Sequence, residues 1–188
     1  MKIGFKKKVL KGFSLGEILL ASFVLTAGLV STMGLIASSF QHSVDSRDTI
    51  IAAELAQEGI ELVRNVRDND FTNGGTGFTA FDANKKHCRI DYNDSFIFSL
   101  PATNLDCETN QGSVSRYTLR YSNGMYTHAN TAEERFSRYV YINYDGSDSA
   151  TIRSFVYWGV FVPTGSNPST CKESNRCVFD EVTFTAWR

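Results

Sequence analysis

Between Ile18 and Phe40 the sequence runs for 23 residues without a charge or a proline. At ~1.5 Å of rise per residue, a helix of that length crosses a ~30 Å hydrocarbon core. The apolar region of a cleaved secretory signal is shorter, typically ~7–15 residues, so the stretch reads as a membrane-spanning helix. A carboxylate, Glu17, opens it. An acid inside a spanning segment costs roughly 2.5–3.5 kcal/mol at the helix centre, and less near the interface, unless it meets a cation. Just upstream, the basic leader Lys2, Lys6, Lys7, Lys8 and Lys11 ends at Gly12-Phe13. A cut after Gly12 would create a positive α-amino group at Phe13, within reach of Glu17, and so supply the missing cation.

The basic leader, Gly12, Phe13, Leu15, Glu17 and the apolar helix together resemble the prepilin signature of type IV pilins and of type II secretion and competence pseudopilins. The resemblance covers about the first 40 residues; Gly16 departs from it, since family members usually carry a branched apolar residue there. It implies a prepilin peptidase that cleaves between Gly12 and Phe13 and methylates the Phe13 amine. Glu17 then acts in assembly by pairing with the Phe13 amine of a neighbour. The partners implied are the peptidase, other pilin or pseudopilin subunits, an inner-membrane assembly platform and the membrane itself. The function implied is a structural subunit, a minor pilin or pseudopilin, of a type IV pilus-like or secretion-like filament. The alternative is an uncleaved, single-pass anchor carrying an exported binding domain.

The leader defines residues 1–12, the apolar helix residues 13–44, and the remainder, 45–188, one modest exported domain. Lysines concentrate before the span and Arg47 alone follows closely, so the positive-inside bias places the N-terminus in the cytoplasm and residues 45–188 outside. Cleavage removes five of the 19 basic residues and leaves 14 against 20 acidic ones, a formal charge of −6. That balance disfavours nucleic acid as a partner, because such binding draws its affinity from Lys and Arg against phosphates. Cys88, Cys107, Cys171 and Cys177 all lie in the exported part, where disulfides persist. Four cysteines allow three pairings; Cys88 with Cys107 and Cys171 with Cys177 is expected, because each closes a polar loop.

Past the span, Ala52, Leu55, Ala56, Gly59, Leu62, Val63 and Val66 recur at steps of three and four, one face of a helix. One helix is therefore expected from about Ser14 to about Arg67, ended by Asp68-Asn69-Asp70 and the glycine-rich 73–77. Five β-like runs follow: Ser95–Leu100, Arg116–Tyr121, Phe136–Tyr144, Thr151–Val162 and Val178–Trp187. In the fourth, large residues alternate onto both faces, as in a central strand, and Asp145-Gly146-Ser147-Asp148 should join it to the third as an antiparallel hairpin. The fold class expected is α+β: a long N-terminal helix whose amphipathic half packs on a C-terminal antiparallel sheet.

Catalytic chemistry is not legible, and no enzyme is expected. Of His42, His87 and His128, none belongs to an HExxH motif, and no G-x-S-x-G elbow occurs. His87 beside Cys88 hints at a thiol nucleophile, but a bridged cysteine is the plainer reading. No metal site and no cofactor are expected. Calcium, which the resemblance raises, would need Asp145, Asp148, Asp180 and Glu181 to converge as oxygen ligands from separate segments; turn and surface roles explain them as well. Tyr139, Tyr141 and Tyr157 read equally as strand packing or as a binding face.

Overall fold

A computed structural model describes residues 12, 14–94, 105–128, 134–146, 148–159, 163 and 167–186. It divides into two compact units, Met1–Asp45 and Ser46–Arg188. A single helix, α1 (Leu15–Thr72), contributes to both.

In the first unit, the Ser14 carbonyl accepts the amide N–H of Glu17 at 3.0 Å and of Ile18 at 3.2 Å, which starts the helix. From Leu15 through Arg47 every described residue is exposed, and the helix is long and apolar enough to cross a membrane. Four of its hydroxyls are satisfied within the helix. Ser22, Thr26, Ser31 and Thr32 donate to the carbonyls of Leu19, Phe23, Ala27 and Leu29, at 2.8–2.9 Å. Internal satisfaction of polar groups is what a hydrocarbon environment demands of a spanning segment.

In the second unit the apolar stripe of α1 is the buried face. Ala52, Leu55, Ala56, Gly59, Leu62, Val63 and Val66 are all buried, with Ile60 added between them. They pack on an antiparallel, seven-stranded sheet. Its strands are β1 (His87–Arg89), β2 (Asp106–Glu108), β3 (Thr118–Ser122), β4 (Met125–His128), β5 (Phe136–Tyr144), β6 (Ser149–Tyr157) and β7 (Cys177–Thr185). A four-residue helix, α2 (Val114–Tyr117), precedes β3. β5 and β6 form the centre, paired from Ser137 with Tyr157 to Tyr144 with Ala150 around the expected turn, where Gly146 has φ +82°. β7 continues the sheet beyond β6, while the other edge of β5 is shared by β1 and β3.

Alternation along β5 and β6 separates two cores. Val140, Ile142, Ala150, Ile152, Phe136 and Val156 face α1, whereas Tyr139, Tyr141, Phe155 and Tyr157 form an aromatic layer with Tyr117 and Phe179 on the other side. In that layer the Tyr139 and Phe155 rings stack at 5.0 Å. At the far end of α1, the Arg67 guanidinium lies 4.4 Å from the centroid of the Phe184 ring of β7. Such a cation–π contact contributes ~0.5–1 kcal/mol when exposed.

Several boundaries differ from expectation. α1 continues through Asp68-Asn69-Asp70 to Thr72, because the Asp70 carboxylate does not compete for helix backbone. Instead it accepts from the Gly77 N–H, the Thr79 N–H and the Thr79 hydroxyl, at 2.7, 3.2 and 2.8 Å, and ties down the loop after the helix. Termination falls to Gly74, at φ +82°, a left-handed position that glycine reaches without strain. Arg116 and Tyr117 are helical rather than extended, so that strand runs from Thr118 to Ser122. The fourth run ends as a strand at Tyr157, before Trp158 and Gly159, and β7 spans Cys177–Thr185. Residues Ser95–Leu100, 160–162 and Trp187 lie outside the described residues.

Candidate functional site

Of the N-terminal residues singled out by sequence, Leu15 and Glu17 lie in the first turn of α1. Gly12 is exposed and Phe13 lies outside the described residues. Glu17 sits in the first helical turn and is exposed. There the unpaired backbone N–H groups favour a carboxylate by ~0.3–1 kcal/mol. Ala21 and Leu25 follow it at four-residue steps, so the acid heads an apolar face of the helix.

Both expected cysteine pairs are formed. Cys88 and Cys107 stand opposite each other in the β1–β2 ladder and are bridged. Cys171 and Cys177 close a short loop of 3-10 turns. Cys88 therefore offers no thiol. Its neighbour His87 is wedged against Tyr139 and Tyr141. Burial lowers its pKa below the usual histidine value, outweighing the opposing pull of Glu108, and Lys86 adds to the lowering. The tyrosines weighed as a binding face are core residues: Tyr139 is fully buried, Tyr157 is 1% exposed and Tyr141 9%. Burial pushes the Tyr157 hydroxyl up to about 12 and raises that of Tyr139 as well.

The acidic residues considered for calcium do not converge. Asp180 and Glu181 are consecutive on β7 and so point to opposite faces, and Glu181 pairs with Arg153. Thr185 is the residue opposite Ser149 at the turn, four positions from Glu181; at ~3.4 Å per residue that is ~14 Å. Among the described residues no group of three or more His, Cys, Asp or Glu is placed to hold a metal.

The polar centre of the domain was not anticipated. Arg138 sits on the α1-facing side of β5, between the two apolar clusters, with a fully buried side chain. Its guanidinium donates to the carbonyls of Leu55 and Ile90, at 3.3 and 3.0 Å, and lies 3.2 Å from Glu58 and 3.6 Å from Asp91. His128 joins this cluster. Its Nδ1 lies 2.7 Å from Asp91 Oδ1, and its Nε2 lies 2.9 Å from the Arg138 carbonyl oxygen. Burial alone would raise the Asp91 pKa, but the hydrogen bonds and charge of His128, with Arg138, hold it below the usual carboxylate range. The aspartate–histidine pair looks like part of a catalytic set, yet both ring nitrogens are engaged and the side chain is 1% exposed. It has no nitrogen to offer a substrate; its bonds tie β4 to β5 and to the segment after β1, while Arg138 makes the link to α1. The close approach of helix to sheet here depends on Gly59, where a Cβ would stand 2.3 Å from Ser154 Oγ.

Beside this cluster, α1 and the β3–β4 hairpin leave an open groove of about 760 Å³. Ile51, Glu54 and Glu58 line it from the helix, and Tyr92, Tyr121 and Tyr126 from the sheet side. The hairpin turns on Asn123-Gly124, at φ +54° and +85°; positive φ at both residues defines the tight two-residue turn that this dipeptide favours. No protein-family model, no curated protein and no solved structure matches the chain.

Proposed function

We propose that the chain is a structural subunit, a minor pilin or pseudopilin, of a type IV pilus-like or type II secretion-like filament. It is stored in the inner membrane with its N-terminus cytoplasmic and its disulfide-bonded domain exported. Prepilin peptidase cuts it between Gly12 and Phe13 and methylates the new amine. The observation that carries this reading is one continuous helix, Leu15–Thr72, headed by Glu17 and exposed along its first half. An apolar helix of this kind passes from lipid into a core of neighbouring helices without meeting water, and Glu17 paired with a neighbour's Phe13 amine sets the register. The protein is not an enzyme in this reading; its partners are the peptidase, sister subunits and the assembly platform.

Glu17→Ala tests the proposal. The precursor should accumulate in the membrane at the wild-type level, while the amount recovered in sheared filaments or extracted assemblies falls at least tenfold. Wild-type incorporation of the variant would remove the role assigned to Glu17.

A further inference from the structure

We propose that the groove between α1 and the β3–β4 hairpin binds an extended peptide segment bearing a lysine or arginine. Its floor is acidic. Glu54 and Glu58 lie one helical turn apart on the groove side of α1, at the i, i+4 spacing that brings side chains together. Asp91 is held by His128 as well as Arg138, Glu58 faces Arg138, and Glu54 has no cationic partner among the described residues, so Glu54 gives the groove its excess negative charge. The guanidiniums that bear on Tyr126, those of Arg47 and Arg135, both face the buried Asp48 carboxylate.

Its walls suit the rest of a basic side chain. Tyr121 and Tyr126 meet at 4.9 Å between centroids with their planes 51° apart. Tyr121 is 62% exposed and Met125 43%, open apolar surface beside carboxylates. Lysine and arginine bury an alkyl stem on such surface while the charged end meets an aromatic face and an acid.

The backbone of β4 selects a peptide over a free amine. The pairing of Ser122 with Met125 and Tyr121 with Tyr126 across a two-residue turn makes Tyr121–Tyr126 a non-hydrogen-bonded pair. The N–H and C=O of Tyr126 then point to the outer edge of β4, where no described residue takes them. Two residues on, the outward N–H of His128 is taken by Asp91 Oδ2 at 3.0 Å, as a neighbouring strand's carbonyl would take it. An extended segment laid along this edge finds one donor and one acceptor ready at Tyr126.

The groove lies within Ser46–Arg188, and its test needs neither cleavage nor assembly, so failure here and failure of the filament reading are separate results. The full chain, in maltoside micelles, is panned against a phage-displayed random nonapeptide library. Enriched sequences should carry Lys or Arg among β-branched or aromatic residues. As synthetic peptides they should lose at least tenfold in affinity on Glu54→Lys and on replacement of the basic residue by norleucine, and several-fold on Tyr121→Ser. Both protein variants alter exposed side chains, and near-UV circular dichroism verifies their fold. No enrichment, enriched peptides without a basic residue, or equal binding to Glu54→Lys would overturn the proposal. Competition by n-butylammonium at the peptide's own affinity would also overturn it, in favour of a small-amine site.

Discussion

The two halves of α1 share a backbone and differ in what the chain supplies around them. In the second half, Leu55 and Ile60 are 4% and 3% exposed because the sheet provides a complementary surface. In the first half, Leu25 and Leu29 are 64% and 51% exposed, and nothing described in the chain covers them. Leucine for leucine the two halves are equally apolar; what separates these positions is the presence of an internal partner. The second half carries the stability of the domain, while the first half has no partner among the described residues and is long and apolar enough to cross a membrane.

That contrast predicts a ranked series of effects on urea unfolding of the full chain in micelles, followed by near-UV circular dichroism. Arg138→Met should be the most damaging, because it removes the buried guanidinium that faces Glu58 and Asp91 and leaves the buried carbonyls of Leu55 and Ile90 without their donor; removing one partner of a buried ion pair costs about 3–5 kcal/mol. Next, Leu55→Ala should lower stability by about 2–5 kcal/mol, the usual loss for a truncated core leucine. The matched Leu25→Ala should change it by less than about 0.5 kcal/mol, as exposed sites do. Equal effects from the two leucines would erase the distinction between the halves.

Glycines sharpen the same comparison. Gly59→Val places a branched side chain against Ser154 and the Arg138 stem, and overpacking of this kind costs about 1–3 kcal/mol. Gly34 has no atom within 4 Å of a built Cβ, so Gly34→Ala should leave domain unfolding unchanged while raising the helicity of the span.

The smallest expected effect is on pH dependence. His87 has a lowered pKa in the folded protein, so its neutral form belongs to the fold. Its contribution is complete above the ordinary value of 6.5 and is lost as the pH falls from there toward the folded value. His87→Phe should flatten the stability profile on the acid side of 6.5. The Asp91 carboxylate, also lowered, acts only below its ordinary 3.8 and leaves that window untouched. An unaltered slope in the variant would assign the acid sensitivity to other groups.

Much of this architecture was legible in the chain. The 3- and 4-residue stripe from Ala52 to Val66 marks the buried face, and β5 occupies Phe136–Tyr144 as the residues imply. Both patterns are long enough for periodicity to speak. β1 and β2, at three residues each, have no pattern of their own; pairing with β5 and the Cys88–Cys107 bridge create them. The β3–β4 hairpin carries a signal, Asn123-Gly124, but the strands on either side are too short for alternation to reinforce it. Arg138 was illegible for a different reason. A charge within a strand implies solvent, and only the convergence of Glu58, Asp91 and two carbonyls makes its burial tolerable. The groove beside it inherits that obscurity, since its acids come from α1 and its aromatic walls from residues far along the chain.

The proposal of a processed filament subunit is tested most directly by the intact mass and N-terminal sequence of the protein purified from membranes of cells that process other prepilins. The account predicts a chain that begins at Phe13, carrying one added methyl group on its amine, with residues 1–12 gone. A mature chain that still begins with the lysine-rich leader would contradict it and leave Glu17 without its counter-ion.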